Sequence, residues 1–181
     1  KNYCALSKLI MFIDGIIKGG SPNTVIGFLP PSKIPDRKIY IGVAGDNGRY
    51  LIEFNPNGDI VLYDNGWFKN RQFAKYTDSN NIYLTARFPF SKGSPLKTSS
   101  GHWVSQPGYK PKGSVVYLTG GIKSGTVSIP DALRPSKSDL YMGVSAWKPT
   151  RVDIRNNGSV LNVFRNSNTS LEGISYSRFN G

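Results

Sequence analysis

The sequence is short of the residues that most site chemistry needs. It holds one cysteine, Cys4, one histidine, His102, and two methionines in 181 residues. A single cysteine makes no intrachain disulfide and has no partner at metal-ligand spacing. Cys4 therefore reads as a small buried apolar residue, in a chain that folds without oxidation. One histidine, with no cysteine or second histidine near it, argues against a zinc site. It would also have to serve any Ser-His-Asp device, and no Gly-x-Ser-x-Gly elbow accompanies it. Long apolar runs are missing as well. Leu9-Ile10-Met11-Phe12-Ile13 is the most apolar stretch, and Asp14-Gly15 ends it well short of the roughly 20 residues of a membrane span. It reads as a buried strand, and no membrane insertion is expected. No initiator methionine, cationic leader or cleavage site precedes it, so the chain is expected to be a piece of a longer polypeptide. Helical periodicity is almost absent, with Cys4 to Ile10 the one stretch that admits it.

Acidic residues are also scarce. There are 11 against 23 lysines and arginines, a net charge of +12. The excess is even: 11 basic against 7 acidic in 1–90, 4 against none in 91–112, and 8 against 4 in 113–181. An even excess describes a folded body whose field attracts polyanions, more weakly as salt rises, and not a basic tail. Nucleic acid is not the expected partner, because the distribution suggests no continuous basic groove with stacking aromatics.

What the chain does have is a partial copy of itself. Gly15-Ile16-Ile17-Lys18-Gly19-Gly20 returns as Gly120-Gly121-Ile122-Lys123-Ser124-Gly125. Pro35-Asp36-Arg37-Lys38-Ile39-Tyr40-Ile41-Gly42-Val43 returns as Pro135 to Val144, and Phe54 to Leu62 as Ile154 to Leu161. The period is roughly 100 residues, long enough for each copy to own a core.

Strand signals dominate both copies: short β-branched and aromatic runs broken by Asn-Gly, Asp-Gly and Gly-Gly. Strands are expected at 38–43, 50–54 and 60–63, and again at 114–118, 126–129, 140–144, 151–154 and 160–164. Turns are expected at Asn57-Gly58, Asn157-Gly158 and Gly120-Gly121. The run from Gly120 to Thr126 lacks the order of a phosphate loop and reads as a hairpin turn. The fold class predicted is all-β, as two tandem antiparallel β-sandwich, jelly-roll-like modules related by internal duplication: 1–90, a basic linker or loop at 91–112, and 113–181.

Two aromatic-basic clusters are candidate ligand sites. Trp67-Phe68-Lys69-Asn70-Arg71 and Trp147-Lys148-Pro149-Thr150-Arg151 each set a flat ring beside cations, a combination suited to stacking on a sugar while holding a phosphate or carboxylate. With Tyr76, and with Trp103 and Tyr109 of the expected linker, the candidate ligand-binding set is Trp67, Phe68, Arg71, Tyr76, Trp103, Tyr109, Trp147, Lys148 and Arg151. The plainer reading packs Trp67 and Trp147 into small cores. Asp14, Asp36, Asp46, Glu53, Asp59, Asp64 and Asp78 leave a hydrolytic carboxylate pair open, although acids in turns are ordinary turn chemistry. No catalytic residue, metal or cofactor is expected.

The order Gly-x-Val-x-Ile-Pro from Gly125, Leu133-Arg134-Pro135-Ser136-Lys137, Leu140-Tyr141-Met142-Gly143-Val144, Val152 to Val160 and Leu171-Glu172-Gly173-Ile174-Ser175-Tyr176 resembles the C-terminal head domains of tail receptor-binding and baseplate proteins of phages infecting Gram-positive bacteria. Phe28-Leu29-Pro30, Ile34-Pro35 and Ile82 to Phe88 carry it more loosely in the first copy. The tandem pair looks like the tower region of staphylococcal phage receptor-binding proteins. That resemblance implies a virion protein, a homotrimer joined to other tail or baseplate proteins, which adheres to wall teichoic acid or another surface glycan. It marks no sugar-contacting residue. A structural spacer that orients a separate receptor-binding domain, and a wall-polymer hydrolase, are the competing expectations.

Overall fold

The computed structural model describes residues 10–18, 23–46, 48–63, 81–99, 101–123, 126–145, 148–162 and 168–178. The chain is all-β: among the described residues the helical pieces are single 3-10 turns at Pro31–Lys33 and Asp131–Leu133. It divides into two compact units, residues 1–91 with 147–149, and 92–146 with 150–181.

In the first unit the strands are β1 Ile10–Ile13, β2 Ile16–Lys18, β3 Val25–Phe28, β4 Ile39–Gly45, β5 Gly48–Phe54, β6 Asp59–Tyr63, β7 Asn81–Tyr83 and β8 Ala86–Pro89. Six form an antiparallel sheet in the order β2-β7-β4-β5-β6-β3, and β1 pairs with β8. Alternation fixes which face each residue takes. On β6, Ile60 and Leu62 are buried while Asp59, Val61 and Tyr63 are less so, the period-2 pattern of a strand with one face on the core. Met11 and Phe88 of the β1-β8 pair and Ile41, Ile52 and Leu62 of the large sheet belong to one buried cluster, so two layers share a core.

Arg37 ties the layers together. The residue is 7% exposed, and its guanidinium donates from Nη2 to Pro89 O (3.2 Å) and from Nη1 to Phe90 O (3.3 Å) and Asp36 Oδ1 (3.0 Å). A methionine of similar length would leave those carbonyls without their charged donor. Hydrogen bonds to charged groups contribute roughly 1.5–3 kcal/mol, so Arg37→Met is expected to lower unfolding free energy by about 2 kcal/mol in urea titration. A loss under about 0.5 kcal/mol would show that water replaces the guanidinium without penalty.

The sheets of the second unit are built from β9 Ser94–Pro95, β10 Lys97–Thr98, β11 Gly108–Lys112, β12 Val115–Thr119, β13 Gly121–Ile122, β14 Thr126–Ser128, β15 Asp139–Ser145, β16 Lys148–Ile154, which belongs to this unit from Thr150 onward, β17 Ser159–Asn162, β18 Thr169–Ser170 and β19 Ser175–Ser177. One sheet runs β10-β14-β17-β16-β15-β18-β13 and the other β19-β12-β11-β9. Its buried cluster likewise draws on both sheets, with Val116 and Leu118 facing Val127, Val152 and Val160.

Apart from β10, the larger sheet has the same strand order as the large sheet of the first unit, and β12-β19 stands where β1-β8 does. Leu29 N donates to Gly58 O at 2.7 Å, and Ile129 N to Gly158 O at 2.8 Å. The Asn-Gly turns match as well, with Gly58 at φ 95° and Gly158 at φ 87°, the left-handed backbone that glycine adopts without a Cβ penalty. The sequence match is displaced by one residue at β4. Ala44 pairs with Tyr83 as Val144 pairs with Ser170, so Gly42-Val43 and Gly143-Val144 do not occupy equivalent rungs. Ladder register, not a shared dipeptide, decides which side chains face the core.

Two expectations are corrected. Residues 91–112 are not simply a linker: β9, β10 and β11 belong to the sheets of the second unit. Glycine and proline there serve close packing. A Cβ on Gly93 would overlap the Tyr109 backbone, and one on Gly108 would lie 2.8 Å from Thr119 Oγ1. Pro95 sits on the edge strand β9, where a missing N–H is tolerated. The run from Gly120 to Thr126 is not a hairpin either. Gly120 is a corner at which the chain leaves the four-stranded sheet, and β13 and β14 sit apart in the other.

Candidate functional site

Of the residues singled out in the sequence, Trp67, Phe68, Arg71, Tyr76 and Trp147 lie outside the described residues, as does Cys4. Lys148 begins β16. Arg151, also on β16, is exposed, and its guanidinium forks onto Asp153, with Nε to Oδ1 at 2.6 Å and Nη2 to Oδ2 at 3.0 Å. That pairing holds the Arg151 pKa above its ordinary value.

Trp103 is half-buried in the second unit. Its N–H donates to Gly121 O (3.0 Å), it accepts from Ser105 N (2.8 Å), and its ring lies 3.4 Å from where a Gly121 Cβ would stand. Tyr109 packs against the second unit's buried cluster. His102 is exposed and bridges to Ile122. Trp103, Tyr109 and Arg151 are thus held by three different sets of partners.

The described carboxylates considered as a hydrolytic pair mostly have local partners. Asp36 pairs with Arg37, Glu53 with Lys38 Nζ at 3.2 Å, and Asp59 with Asn57. Among the described residues no cluster of three or more His, Cys, Asp or Glu forms a metal site, and no helix is long and apolar enough to cross a membrane.

A different group of side chains meets at one end of the first unit's large sheet. Tyr83 on β7 is 41% exposed and donates from its phenol to Asp46 Oδ1 at 2.6 Å. Asn81 N donates to Asp46 Oδ2 at 3.0 Å, and Asp46 N to Asn81 O at 3.1 Å. Ile16, 65% exposed, is Tyr83's direct partner on β2, and Lys18 is the partner of Asn81. Pleating puts Ile16, Lys18 and Tyr83 on one outward face, along with Gly42 and Ala44 of β4, both exposed. From the sequence, Asp46 is expected either as a turn acid or as one member of a hydrolytic carboxylate pair, and not as the partner of a tyrosine. The available signal was the alternation in Ile82-Tyr83-Leu84, which turns Tyr83 outward between two buried residues.

The Tyr83 hydrogen bond is the largest cause that holds the Asp46 carboxyl below its ordinary 3.8, and the Asp46 carboxylate in turn raises the Tyr83 phenol above 10. The carboxylate contribution is therefore complete above pH 3.8 and disappears as pH falls through the lower folded value. In Asp46→Asn, absorbance titration of the phenol should show Tyr83 moving back toward 10. An unchanged phenol would mean that the two groups do not interact in solution.

Two ring-cation pairs lie on the first unit: the Arg87 guanidinium is 5.5 Å from the Phe12 ring centroid, and Lys33 Nζ is 5.2 Å from that of Phe90. The chain matches no protein-family model, no curated protein and no solved structure.

Proposed function

We propose that this chain is a non-enzymatic adhesion module of a phage tail. On this reading it is a homotrimer, docked with other tail or baseplate proteins, and binds wall teichoic acid or a related surface glycopolymer. The observation that carries the reading is the +12 net charge, with an excess of +4 in each of 1–90, 91–112 and 113–181, over two all-β units of matching strand order. A polyphosphate carrying sugars is attracted to such a body at long range. Threefold presentation then multiplies weak contacts into avidity. The matching strand orders also support descent of both units from one duplicated sandwich.

In the test, purified cell walls are offered to phage with increasing amounts of this protein. Competition that weakens with salt and vanishes on walls stripped of teichoic acid is expected, together with a trimer in light scattering. Lack of competition from a well-folded trimer favours a spacer role, a reading supported by the way Trp103 and Tyr109 are engaged within the second unit. Release of soluble sugar-phosphate fragments would instead indicate a hydrolase.

A further inference from the structure

We propose that the outward ledge formed by Tyr83, Asp46, Ile16, Lys18 and the small residues Gly42 and Ala44 is a sugar subsite, which takes one pyranose substituent of a glycosylated polyphosphate. The inference rests on the adhesion reading and adds to it the place and the moiety bound.

Ala44 is the direct partner of Tyr83 on one side, as Ile16 is on the other, and cross-strand neighbours stand about 4.5–5.5 Å apart. Gly42 lies two residues farther along β4 on the same face. A flat ring can therefore approach the sheet over Gly42 and Ala44 with Tyr83 standing beside it as an apolar wall. An exposed tyrosine usually turns among rotamers. Here the phenol is held by Asp46, and Asp46 by Asn81 N, so less freedom is lost when a ligand lands. Asp46 accepts from the Tyr83 phenol and from the backbone and side chain of Asn81, and a carboxylate offers about four lone-pair sites, so a ligand hydroxyl can still donate to it. Phosphate offers Asp46 no donor and is repelled by it, whereas Lys18 draws the polymer's anionic backbone. The carboxylate thus selects for sugar and the ammonium for the chain that bears it.

The second unit lacks this arrangement. Ser170 takes the place of Tyr83 and is buried, Val144 takes the place of Ala44 on the ladder, and Met142, two residues before Val144, takes the ladder place of Gly42. Two units of like topology differ here in a way that core packing does not demand, since Tyr83, Ile16 and Lys18 all face solvent.

Binding of the intact protein to purified wall teichoic acid, the same polymer stripped of its sugars, and inorganic polyphosphate would be compared by calorimetry. Tyr83→Ala should weaken binding to the glycosylated polymer by about tenfold, near 1.4 kcal/mol, and leave the other two unchanged. Tyr83→Phe, which keeps the ring, should lose less. Lys123→Ala, at the counterpart of Lys18, serves as the control and should change nothing beyond a small charge effect. Circular dichroism checks that each exposed-residue variant is folded. If the unsubstituted protein binds the glycosylated polymer and Tyr83→Ala binds it equally well, the ledge is not the subsite and the adhesion reading stands. If the unsubstituted protein binds no polymer, the adhesion reading fails and the subsite with it.

Discussion

Phe88→Ala is expected to destabilise the first unit by about 3–5 kcal/mol, the range for removing a fully buried phenylalanine. Phe88 has no exposed surface. Its ring lies 4.9 Å, centroid to centroid, from that of Phe54 at an interplanar angle of 48°. It comes from the β1-β8 pair and Phe54 from the large sheet, so truncation opens a cavity between the layers. Transfer and cavity terms then act together, and the flanking strands cannot collapse inward without breaking register. Such a loss is a large share of the 5–15 kcal/mol that typical domains possess. Urea unfolding with hydrogen exchange on the first unit's core amides measures it, and a change under about 1 kcal/mol would show that Phe88 is not in a packed core.

Tyr176 provides the comparison. It is 3% exposed on β19, pairs with Val116 as Phe88 pairs with Met11, and its phenol donates to Leu133 O at 2.9 Å. Tyr176→Phe removes only that bond, and the cost should be about 1 kcal/mol. Burial is the leading cause of a raised Tyr176 pKa, so its phenol should resist ionisation beyond pH 10. The stability it contributes is present below that pH and is lost as pH rises through the folded value.

Gly120→Val should have an effect of similar size on the second unit. Gly120 has φ 72°, a conformation that costs a β-branched residue heavily. A Cβ there would also overlap Gln106 O and lie 2.8 Å from Ser105 O. The same residue donates its N–H to the buried Glu172 Oε1 at 2.7 Å, and its carbonyl accepts from Leu171 N at 2.8 Å. Strain, overlap and loss of these bonds coincide, so destabilisation above about 3 kcal/mol is expected. Gly113→Asn is the control. Its φ is also positive, at 60°, but nothing lies within 4 Å of a Cβ, and asparagine tolerates this conformation. It should cost under about 1 kcal/mol. Equal losses in both variants would mean that backbone conformation alone, and not crowding at the corner, sets the cost.

The strands were legible because their signals are local. Ile39 to Val43, Ile60 to Tyr63 and Arg151 to Ile154 alternate or run apolar, and Asn57-Gly58 and Asn157-Gly158 sit where the chain must take a positive φ. Residues 91–112 look like a linker for an equally local reason. Gly93, Pro95, Gly108 and Pro111 look like punctuation, yet the glycines leave room for a neighbouring strand and the prolines occupy pieces of a small sheet. At Gly120-Gly121 a corner between sheets and a hairpin carry the same dipeptide. What distinguishes them is the partner strand, many residues away.

The ledge shows the same division. Alternation alone turns Tyr83 outward, and composition alone makes the chain basic and gives it one cysteine and one histidine to work with. These properties depend on neighbours in sequence or on counting, and no tertiary contact alters them. That Tyr83 meets Asp46, 37 residues earlier, and that Trp103 rests on Gly121 were decided only when the strands took their order. Pairing energy is nearly the same for many registers, and only burial of the whole core selects one.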